Sequence, residues 1–301
     1  MSDATRSKVV ADLPASAGVQ LRGPNGPIRI KWHRLRRVAG DVDFTVRRLR
    51  EGLAAGASME IDLRRHAEHG FVCLHEAVLE TETSGKGSIA AAPVAELRSL
   101  RMRGPDGAVT GEPLLLLDDL VAIARNGHRN AVVQFDLKEQ LADLDEATIS
   151  SFARLAAPNA DRFLLSGDDW NAVRTIGQRV EGLKLGFDPS DLPEARGLAS
   201  ASDFSNFVAF TLHTAPNATT IYIEYRLVLA SLAVGYDMIA GLHTGGKIVD
   251  AWTFDVTSPD SSADLSRLIA SGIDQISSND SVALQDATER LSAANSEALA
   301  G

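Results

Sequence analysis

Short runs of β-branched and aromatic residues alternate along this chain with longer amphipathic stretches. In stretches such as FTVRRLREGLAAG and SSADLSRLIASG, apolar residues recur three and four positions apart and a glycine follows, which favours helices. Short strands separated by helices predict parallel strands joined by crossover helices. We therefore expect an α/β fold, a (β/α)8 TIM barrel. The nine strand candidates are IRIKWH, SMEIDL, GFVCLH, NAVVQFDLK, RFLLSG, LKLGF, IYIEY, KIVDAWTF and DQISS.

Nine strands are one too many for this barrel, and the surplus follows the second strand. Only residues 64–69 separate SMEIDL from GFVCLH, which leaves no room for a helix. We predict that the second strand continues past the barrel rim and folds back as a β-hairpin extension, with its turn at residues 68–70. In that register Asp62 lies opposite His75, with their Cβ atoms about 5 Å apart.

The length of the chain sets the expected domain organisation. With 301 residues and 45% hydrophobic content, the chain can bury one sizeable core, and α/β barrels reach this size as single domains. We predict one catalytic barrel over residues 28–290, with an N-terminal segment at 1–27 and a C-terminal tail at 291–301. Residues 188–219 are rich in Ser, Ala, Pro and Asp, which predicts an elaborated loop.

Charge and cysteine content narrow the expected partners and compartment. The formal charge is −10, so we expect no long-range attraction to nucleic acid or anionic lipid, and a local site must hold any phosphate. Cys73 is the only cysteine, which excludes an intrachain disulfide and is typical of the reducing cytosol. Neither a signal peptide nor a run of 18 apolar residues is evident, so we expect a cytoplasmic protein without stable membrane insertion. These patterns leave the oligomeric state open.

Acidic residues share one face on two of the predicted strands. Side chains alternate along a strand, so Glu60 and Asp62 lie on one side of SMEIDL, and Asp136 and Lys138 on one side of NAVVQFDLK. Three carboxylates from two barrel strands predict a hard-oxygen site for Mg²⁺ or Ca²⁺, with water or phosphate at the remaining positions. The five histidines that we place in turns or loops, without a site role, are His66, His69, His128, His213 and His243.

The order of these residues resembles that of the glycerophosphodiester phosphodiesterase family, within the phospholipase C-like phosphodiesterase superfamily. That family has, in sequence, His-Arg-Gly, Glu-x-Asp, His-Asp, a glycine-containing loop, Glu-x-Lys and Trp-Thr-Val-Asn. The resemblance spans residues 28–285. The matching positions are His33-Arg34, Glu60-x-Asp62, His75, Leu79, Gly85-Lys86-Gly87, Asp136-x-Lys138, Trp252-Thr253-Phe254-Asp255, Gly272-Ile273-Asp274 and Ser277-Ser278-Asn279-Asp280.

The resemblance implies a metal-dependent phosphodiesterase that cleaves glycerophosphodiester-like substrates to a phosphomonoester and an alcohol, in lipid metabolism. The resemblance also implies that His33 deprotonates the nucleophile and His75 protonates the leaving alcohol, or that the two roles are swapped. The partner is a small-molecule phosphodiester. The implied metal ligands are Glu60, Asp62 and Asp136, and the implied substrate-binding residues are Arg34, Lys138, Trp252 and Glu224, the last of which pairs with an arginine in an alternative interpretation.

Four positions depart from the family pattern and keep other functions open. Leu35 stands in place of the glycine, residues 43–45 read Asp-Phe-Thr in place of Glu-Asn-Thr, Glu76 replaces Asp, and Asp136 replaces Glu. The sphingomyelinase D branch resembles this chain in two of these features. The first alternative is therefore a lipid phosphodiesterase of sphingomyelinase D or lysophospholipase D type, with either hydrolysis or formation of a cyclic phosphate. The single cysteine does not match the disulfide-braced loop of that branch.

Two further alternatives come from other functional classes. A degenerate barrel would bind a phosphate ester without hydrolysing it, and the departures at Leu35, Phe44 and Glu76 favour that hypothesis. A barrel enzyme of different chemistry, such as an aldolase, follows from the fold alone. Lys138 is the one candidate for its Schiff-base lysine.

Overall fold

The computed structural model describes residues 18–258 and 261–300, with side chains up to Leu291. The strands in this part of the chain are β1 (Gln20–Gly23), β2 (Gly26–Trp32), β3 (Ser58–Arg65), β4 (Phe71–Cys73), β5 (Arg101–Arg103), β6 (Val109–Pro113), β7 (Val132–Leu137), β8 (Phe163–Gly167), β9 (Lys184–Phe187), β10 (Thr220–Glu224), β11 (Ile248–Trp252) and β12 (Gln275–Ser278). The helices are α1 (Val46–Ala55), α2 (Leu79–Glu82), α3 (Val94–Ser99), α4 (Leu117–Ala124), α5 (Glu146–Ala156), α6 (Trp170–Gly177), α7 (Ala201–Thr214), α8 (Tyr225–Ala233), α9 (Met238–Thr244), α10 (Ser261–Ala270) and α11 (Ser281–Ala300).

The main sheet confirms the predicted barrel. Its strand order is β1-β2-β12-β11-β10-β9-β8-β7-β3-β4, and pairing of β2 with β3 closes it. Eight of these strands, from β2 round to β3, make the parallel barrel, with helices between successive strands. The short strand β4 runs antiparallel to β3, so it is the hairpin extension predicted after the second barrel strand.

The chain divides into two compact units, and the first comprises His33–Leu185. In this unit Phe135 of β7 packs against Phe152 of α5 and Phe163 of β8, with ring centroids 5.8 and 4.9 Å away. Phe152 also meets Phe71 edge-on at 5.9 Å. These rings fix α5 against the strands. Because side chains alternate along β7, burial of Phe135 in the helix layer turns the next residue, Asp136, to the barrel interior.

The second unit comprises Met1–Trp32 and Gly186–Gly301. Its strands enclose a buried ion pair between Lys31 of β2 and Asp250 of β11, at 2.9 Å. Asp250 also accepts hydrogen bonds from Gln275 and Ser277 of β12, so its charge is compensated inside the barrel.

No single helix in the described residues is long and apolar enough to cross a bilayer. Helices α8 and α9, bent by 107°, meet that test only as a pair.

The elaborated loop predicted for residues 188–219 is wrong for Ala201–Thr214, which forms α7, while residues 188–200 and 215–219 contain neither α-helix nor strand. Burial of Phe204, Phe207, Val208 and Thr211 follows helical spacing, and Ser200 begins the helix with a capping box. The Ser- and Ala-rich composition concealed this periodicity. Strand β1, within the segment predicted as N-terminal, pairs with β2, and the hairpin of β5 and β6 was also not predicted. The proposed domain limits stay a prediction.

The register predicted for the hairpin of β3 and β4 is wrong by one residue. Leu63 pairs with Cys73 and Arg65 with Phe71, so Asp62 does not lie opposite His75. The reason is the turn, which contains three residues, 67–69, and ends with His69 in the left-handed region at φ 57°. A one-residue slip reverses which side chains share a face.

His66, which the sequence placed in a turn or loop, lies at the base of this turn and is buried. Its ring covers Gly70, where a Cβ atom would lie 2.5 Å from Nε2 of His66. Nδ1 of His66 accepts a hydrogen bond from the backbone N–H of Glu68, at 3.2 Å, so this nitrogen carries no proton. Burial lowers the pKa of His66.

Folding stability is expected to fall in mild acid because of His66. Since its pKa is lowered in the folded state, the unfolded chain takes up this proton first, and stability is lost as the pH drops below about 6.5. We expect His66→Gln to reduce the difference in free energy of unfolding between pH 7.5 and pH 5.5, measured by urea titration. An unchanged difference in the variant would contradict a titrating role for His66.

Candidate active site

Three carboxylates lie together where β3 and β7 end. Glu60 and Asp62 project from β3, and Asp136 of β7 is aligned with Asp62 in the parallel register. One carboxylate oxygen from each residue lies within 4.8 Å of the other two. Glu60 and Asp62 are buried and Asp136 is half-buried. The structure therefore brings together the three acids that the sequence placed on one face.

Asp62 has the most unusual environment of the three. Burial, Glu60 and Asp136 raise its pKa to about 7, against the opposing effect of Lys138 and Arg34. Its Oδ2 atom is buried and accepts no hydrogen bond among the described residues. Nε of Arg34 lies 3.3 Å from this oxygen as an ion-pair partner, and the oxygen can also bind a metal, because carboxylate oxygens are the ligands that Mg²⁺ and Ca²⁺ prefer. The donor set fits such an ion.

Two cationic side chains border the acidic cluster. Nζ of Lys138 lies 2.5 Å from Asp136, 3.3 Å from Asp62 and 3.5 Å from Asp168. Burial alone lowers the pKa of Lys138, but these three carboxylates raise it above its ordinary value. Lys138 therefore stays protonated, which disfavours a Schiff-base role. Nε of Arg34 lies 3.3 Å from Asp62.

The segment that carries His33 and Arg34 has an unusual backbone. Arg34, Leu35 and Phe44 lie in the left-handed region, at φ 52°, 59° and 54°. Each such residue costs about 1–2 kcal/mol, but the side chains of Leu35 and Phe44 are fully buried, which contributes about 1.5–3 kcal/mol each. The resulting turn directs the N–H of Arg34 at Oε2 of Glu60, at 2.7 Å. Nε2 of His33 lies 3.9 Å from the same oxygen.

His75 lies beyond the end of β4, on an irregular segment. Its side chain is 33% exposed, and Nδ1 lies 3.0 Å from Oε1 of Glu76. The backbone makes three contacts that keep this segment in place. Oε2 of Glu82 accepts the N–H groups of His75 and Glu76, at 3.0 and 2.7 Å, and Nε of Arg64 donates to the carbonyl of His75, at 2.8 Å. His75 thus pairs with Glu76 and not with Asp62.

The two remaining predicted residues lie in the second unit. Glu224 and Trp252 are register partners at the carboxyl ends of β10 and β11. Glu224 pairs with Arg226 at 2.7 Å, as one of the two interpretations of the sequence had it. The indole Nε1 of Trp252 is buried and donates no hydrogen bond within the described residues.

Besides Arg64 and Glu82 beside His75, sequence reasoning missed three residues around the acidic cluster. Ser166 of β8 donates to Oδ1 of Asp136 at 2.6 Å, and Gln134 donates to Ser166 at 2.8 Å. Asp168, which follows β8, is the third carboxylate near Lys138. A signal was present, because RFLLSG is the strand after the one that carries Asp136, and polar residues at its end adjoin that acid in a parallel sheet.

Comparisons with known proteins identify the family and the fold of this chain. The chain matches the glycerophosphoryl diester phosphodiesterase family over residues 37–282. A structure from Silicibacter pomeroyi DSS-3 superposes with a TM-score of 0.70 and 18% identity, covering 88% of this chain and 94% of that one. An Oleispira antarctica phosphodiesterase in complex with the product sn-glycerol-3-phosphate gives 0.65 and 18%, covering 86% and 96%. No curated protein sequence matches significantly.

A third structure has the same architecture, and the family match decides the classification. The glycerophosphodiester phosphodiesterase from Agrobacterium tumefaciens C58 gives a TM-score of 0.62 at 16% identity, covering 86% of this chain and 99% of that one. At such identities structural likeness establishes the fold. The family match spans most of the 301 residues, although it begins after His33 and Arg34. The chain therefore belongs to the glycerophosphoryl diester phosphodiesterase family and is a phosphoric diester hydrolase by class.

Proposed function

We propose that this chain is a divalent-metal-dependent phosphodiesterase, which hydrolyses glycerophosphodiester-like substrates to a phosphomonoester and an alcohol. The observation that carries this proposal is the cluster of Glu60, Asp62 and Asp136, with one oxygen from each within 4.8 Å. The cluster lies at the carboxyl ends of barrel strands, where enzymes of this fold have their active sites. The Oleispira antarctica relative was solved with a phosphomonoester product, which supports the same product class here.

Glu60, Asp62 and Asp136 would hold Mg²⁺ or Ca²⁺. When bound, the cation offsets the negative charge that develops on the phosphate oxygens. Two of the three ligands are already oriented by hydrogen bonds, Glu60 by the N–H of Arg34 and Asp136 by Ser166. Such supporting contacts fix the direction of a carboxylate ligand.

Arg34 and Lys138 are suited to hold the phosphate by charge. Asp168 adds a fourth carboxylate beside Lys138, so carboxylates outnumber cations in this group. A phosphodiester is an anion, and a divalent cation held by the three ligands would offset the repulsion that it otherwise meets there. Arg34 presents a planar fork and Lys138 a point charge, and both lie within 3.3 Å of Asp62, next to the position of the metal ligands.

His33 and His75 are the proposed acid–base pair. Their side chains are 25% and 33% exposed, which leaves both accessible to a substrate. Imidazole titrates near neutral pH and so exchanges protons readily under physiological conditions. In this mechanism His33 takes the proton of the attacking water or substrate hydroxyl, and His75 gives a proton to the departing alcohol, or the reverse.

A substrate panel tests this function and separates it from the alternatives. Glycerophosphocholine, glycerophosphoethanolamine, lysophosphatidylcholine and an aryl phosphodiester are assayed with Mg²⁺, Ca²⁺ or chelator. We expect metal-dependent release of glycerol phosphate from the first two. Preferred cleavage of lysophosphatidylcholine, or a cyclic phosphate detected by ³¹P NMR, would favour the lipid branch. Metal binding without turnover of any substrate would overturn the enzyme proposal in favour of a phosphate-ester-binding barrel.

A further inference from the structure

We propose that Glu82 and Arg64 are positioning residues for catalysis, which hold His75 through its backbone from both sides. This inference rests on the proposed role of His75. Glu82 accepts the N–H groups of His75 and Glu76 with a single oxygen, at 3.0 and 2.7 Å. Arg64 donates from Nε to the carbonyl of His75 at 2.8 Å. We name these three hydrogen bonds the backbone clamp.

The segment of His75 depends on the clamp because no strand pairing holds it. Strand β4 ends at Cys73, two residues before His75, and the side chain of Leu74 is the last one fully buried before the exposed loop. Among the described residues, the side-chain hydrogen bond and ion pair given for the imidazole are both with the exposed side chain of Glu76. The direction of the ring is therefore set by the backbone, and a misplacement of about 1 Å at a reacting group can cost on the order of 100-fold in rate.

The surroundings of Glu82 suit a structural carboxyl group and not a solvated one, and burial raises its pKa. Its Oε1 atom is buried and accepts no hydrogen bond among the described residues, so the hydrogen bonds described for this carboxylate all go to the peptide groups of His75 and Glu76. Desolvating a carboxylate is costly unless hydrogen bonds compensate it. Glu82 ends the single turn α2, which the hydrogen bond from the Thr83 hydroxyl to the Leu79 carbonyl, at 2.6 Å, keeps rigid.

Arg64 extends the clamp to the strand that carries the phosphate-binding lysine. Its NH1 atom donates to the carbonyl of Lys138 at 2.5 Å and lies 3.8 Å from Glu139. One planar guanidinium thus joins the loop of His75 to the end of β7. Because the fork of Arg64 is rigid, the positions of His75 and Lys138 are coupled, and a lysine at this position can reach only one of the two carbonyls.

Steady-state kinetics of Glu82→Ala, Glu82→Gln and His75→Ala test the clamp. We expect Glu82→Ala to lower kcat on glycerophosphocholine about 10- to 100-fold, with KM and metal affinity changed less than about threefold, and Glu82→Gln to retain most activity because its amide oxygen still accepts. In the His75→Ala background, Glu82→Ala should have no further effect. The loss should depend on the leaving group of the substrate in the same way for both single variants, which a general loss of structure would not reproduce.

Arg64→Lys and Asp203→Ala complete the design. Arg64→Lys should lower kcat several-fold, again without effect in the His75→Ala background, and it decides the question alone if Glu82→Ala does not fold. Asp203 is a matched control, since one of its oxygens also accepts two consecutive N–H groups, those of Ala199 and Ser200, so Asp203→Ala should keep wild-type kcat. The proposed role of the backbone clamp would be refuted if the effects of Glu82→Ala and Arg64→Lys were additive with that of His75→Ala. It would also be refuted if both of these variants kept wild-type kcat. Wild-type activity of His75→Ala would instead overturn the proposed function.

Discussion

Chelation of divalent cations is expected to abolish phosphodiester turnover, and added Mg²⁺ or Ca²⁺ to restore it. The expectation follows from the charges of the site. The carboxylates of Glu60, Asp62 and Asp136 outnumber the cations of Arg34 and Lys138, so the metal-free site does not favour an anionic substrate. Asp62→Asn should lower kcat at least about 1,000-fold, because it removes a charged ligand from the centre of the cluster. Activity assays with and without EDTA, and with each metal, measure both effects. Full turnover in EDTA would contradict the proposed metal dependence.

Unfolding measurements provide a readout of the same site that does not depend on activity. Metal at 100 times its Kd should raise the free energy of unfolding of the wild type by about 2.7 kcal/mol, and should not do so in Asp62→Asn. In chelator, the raised pKa of Asp62, about 7, means that its stabilising effect is present near pH 4 and is lost as the pH rises through 7. Asp62→Asn should remove that loss. Equal metal stabilisation of both proteins would place the cation elsewhere.

Asparagine in place of His33 or His75 is expected to lower kcat about 100- to 10,000-fold, because neither variant can transfer a proton at that position. The matched control is His69→Asn. His69, like His75, is an exposed histidine beside a carboxylate, 2.9 Å from Asp145, and asparagine tolerates its left-handed backbone. The kcat of His69→Asn should equal that of the wild type. Initial rates on glycerophosphocholine, with folding checked by circular dichroism, measure the effect.

Either of two results would refute this assignment. If His33→Asn retains more than about a tenth of wild-type kcat, the proton transfers proceed without it. If His69→Asn loses as much activity as His75→Asn, the hairpin as a whole and not the imidazole of His75 is required. The pH dependence of kcat in the wild type should show two limbs, one of which is lost in each active-site variant.

The barrel could be predicted from the sequence because its strands differ so clearly from the segments between them. All nine candidate runs form strands, and the short spacing before GFVCLH correctly indicated a hairpin. The acids on β3 and β7 could be predicted because alternation along one strand is a local property. Their close approach then follows from adjacent parallel strands, which align Asp62 with Asp136.

The register and the supporting contacts could not be predicted, because they depend on geometry that residue patterns do not determine. The turn lies at residues 67–69, one position before the predicted one, and it ends with His69 in the left-handed conformation, which residues other than glycine adopt uncommonly. Helix α7 was hidden by composition, although its buried face had helical periodicity. Ser166, Arg64 and Glu82 act through contacts between elements distant in sequence, with separations of 30, 11 and 7 residues to their partners.

The two compact units of this chain are completed at different times during translation. The unit His33–Leu185, which holds the proposed metal ligands and both histidines, is a continuous stretch that leaves the ribosome complete. Strand β2, made earlier, pairs through Ile30 with Ile276 of β12, roughly 250 residues later. At about 5–20 residues per second, the ribosome needs on the order of 10–50 s to supply that partner. One edge of β2 stays without β12 for this interval, so the barrel can close only after its last strand has been made.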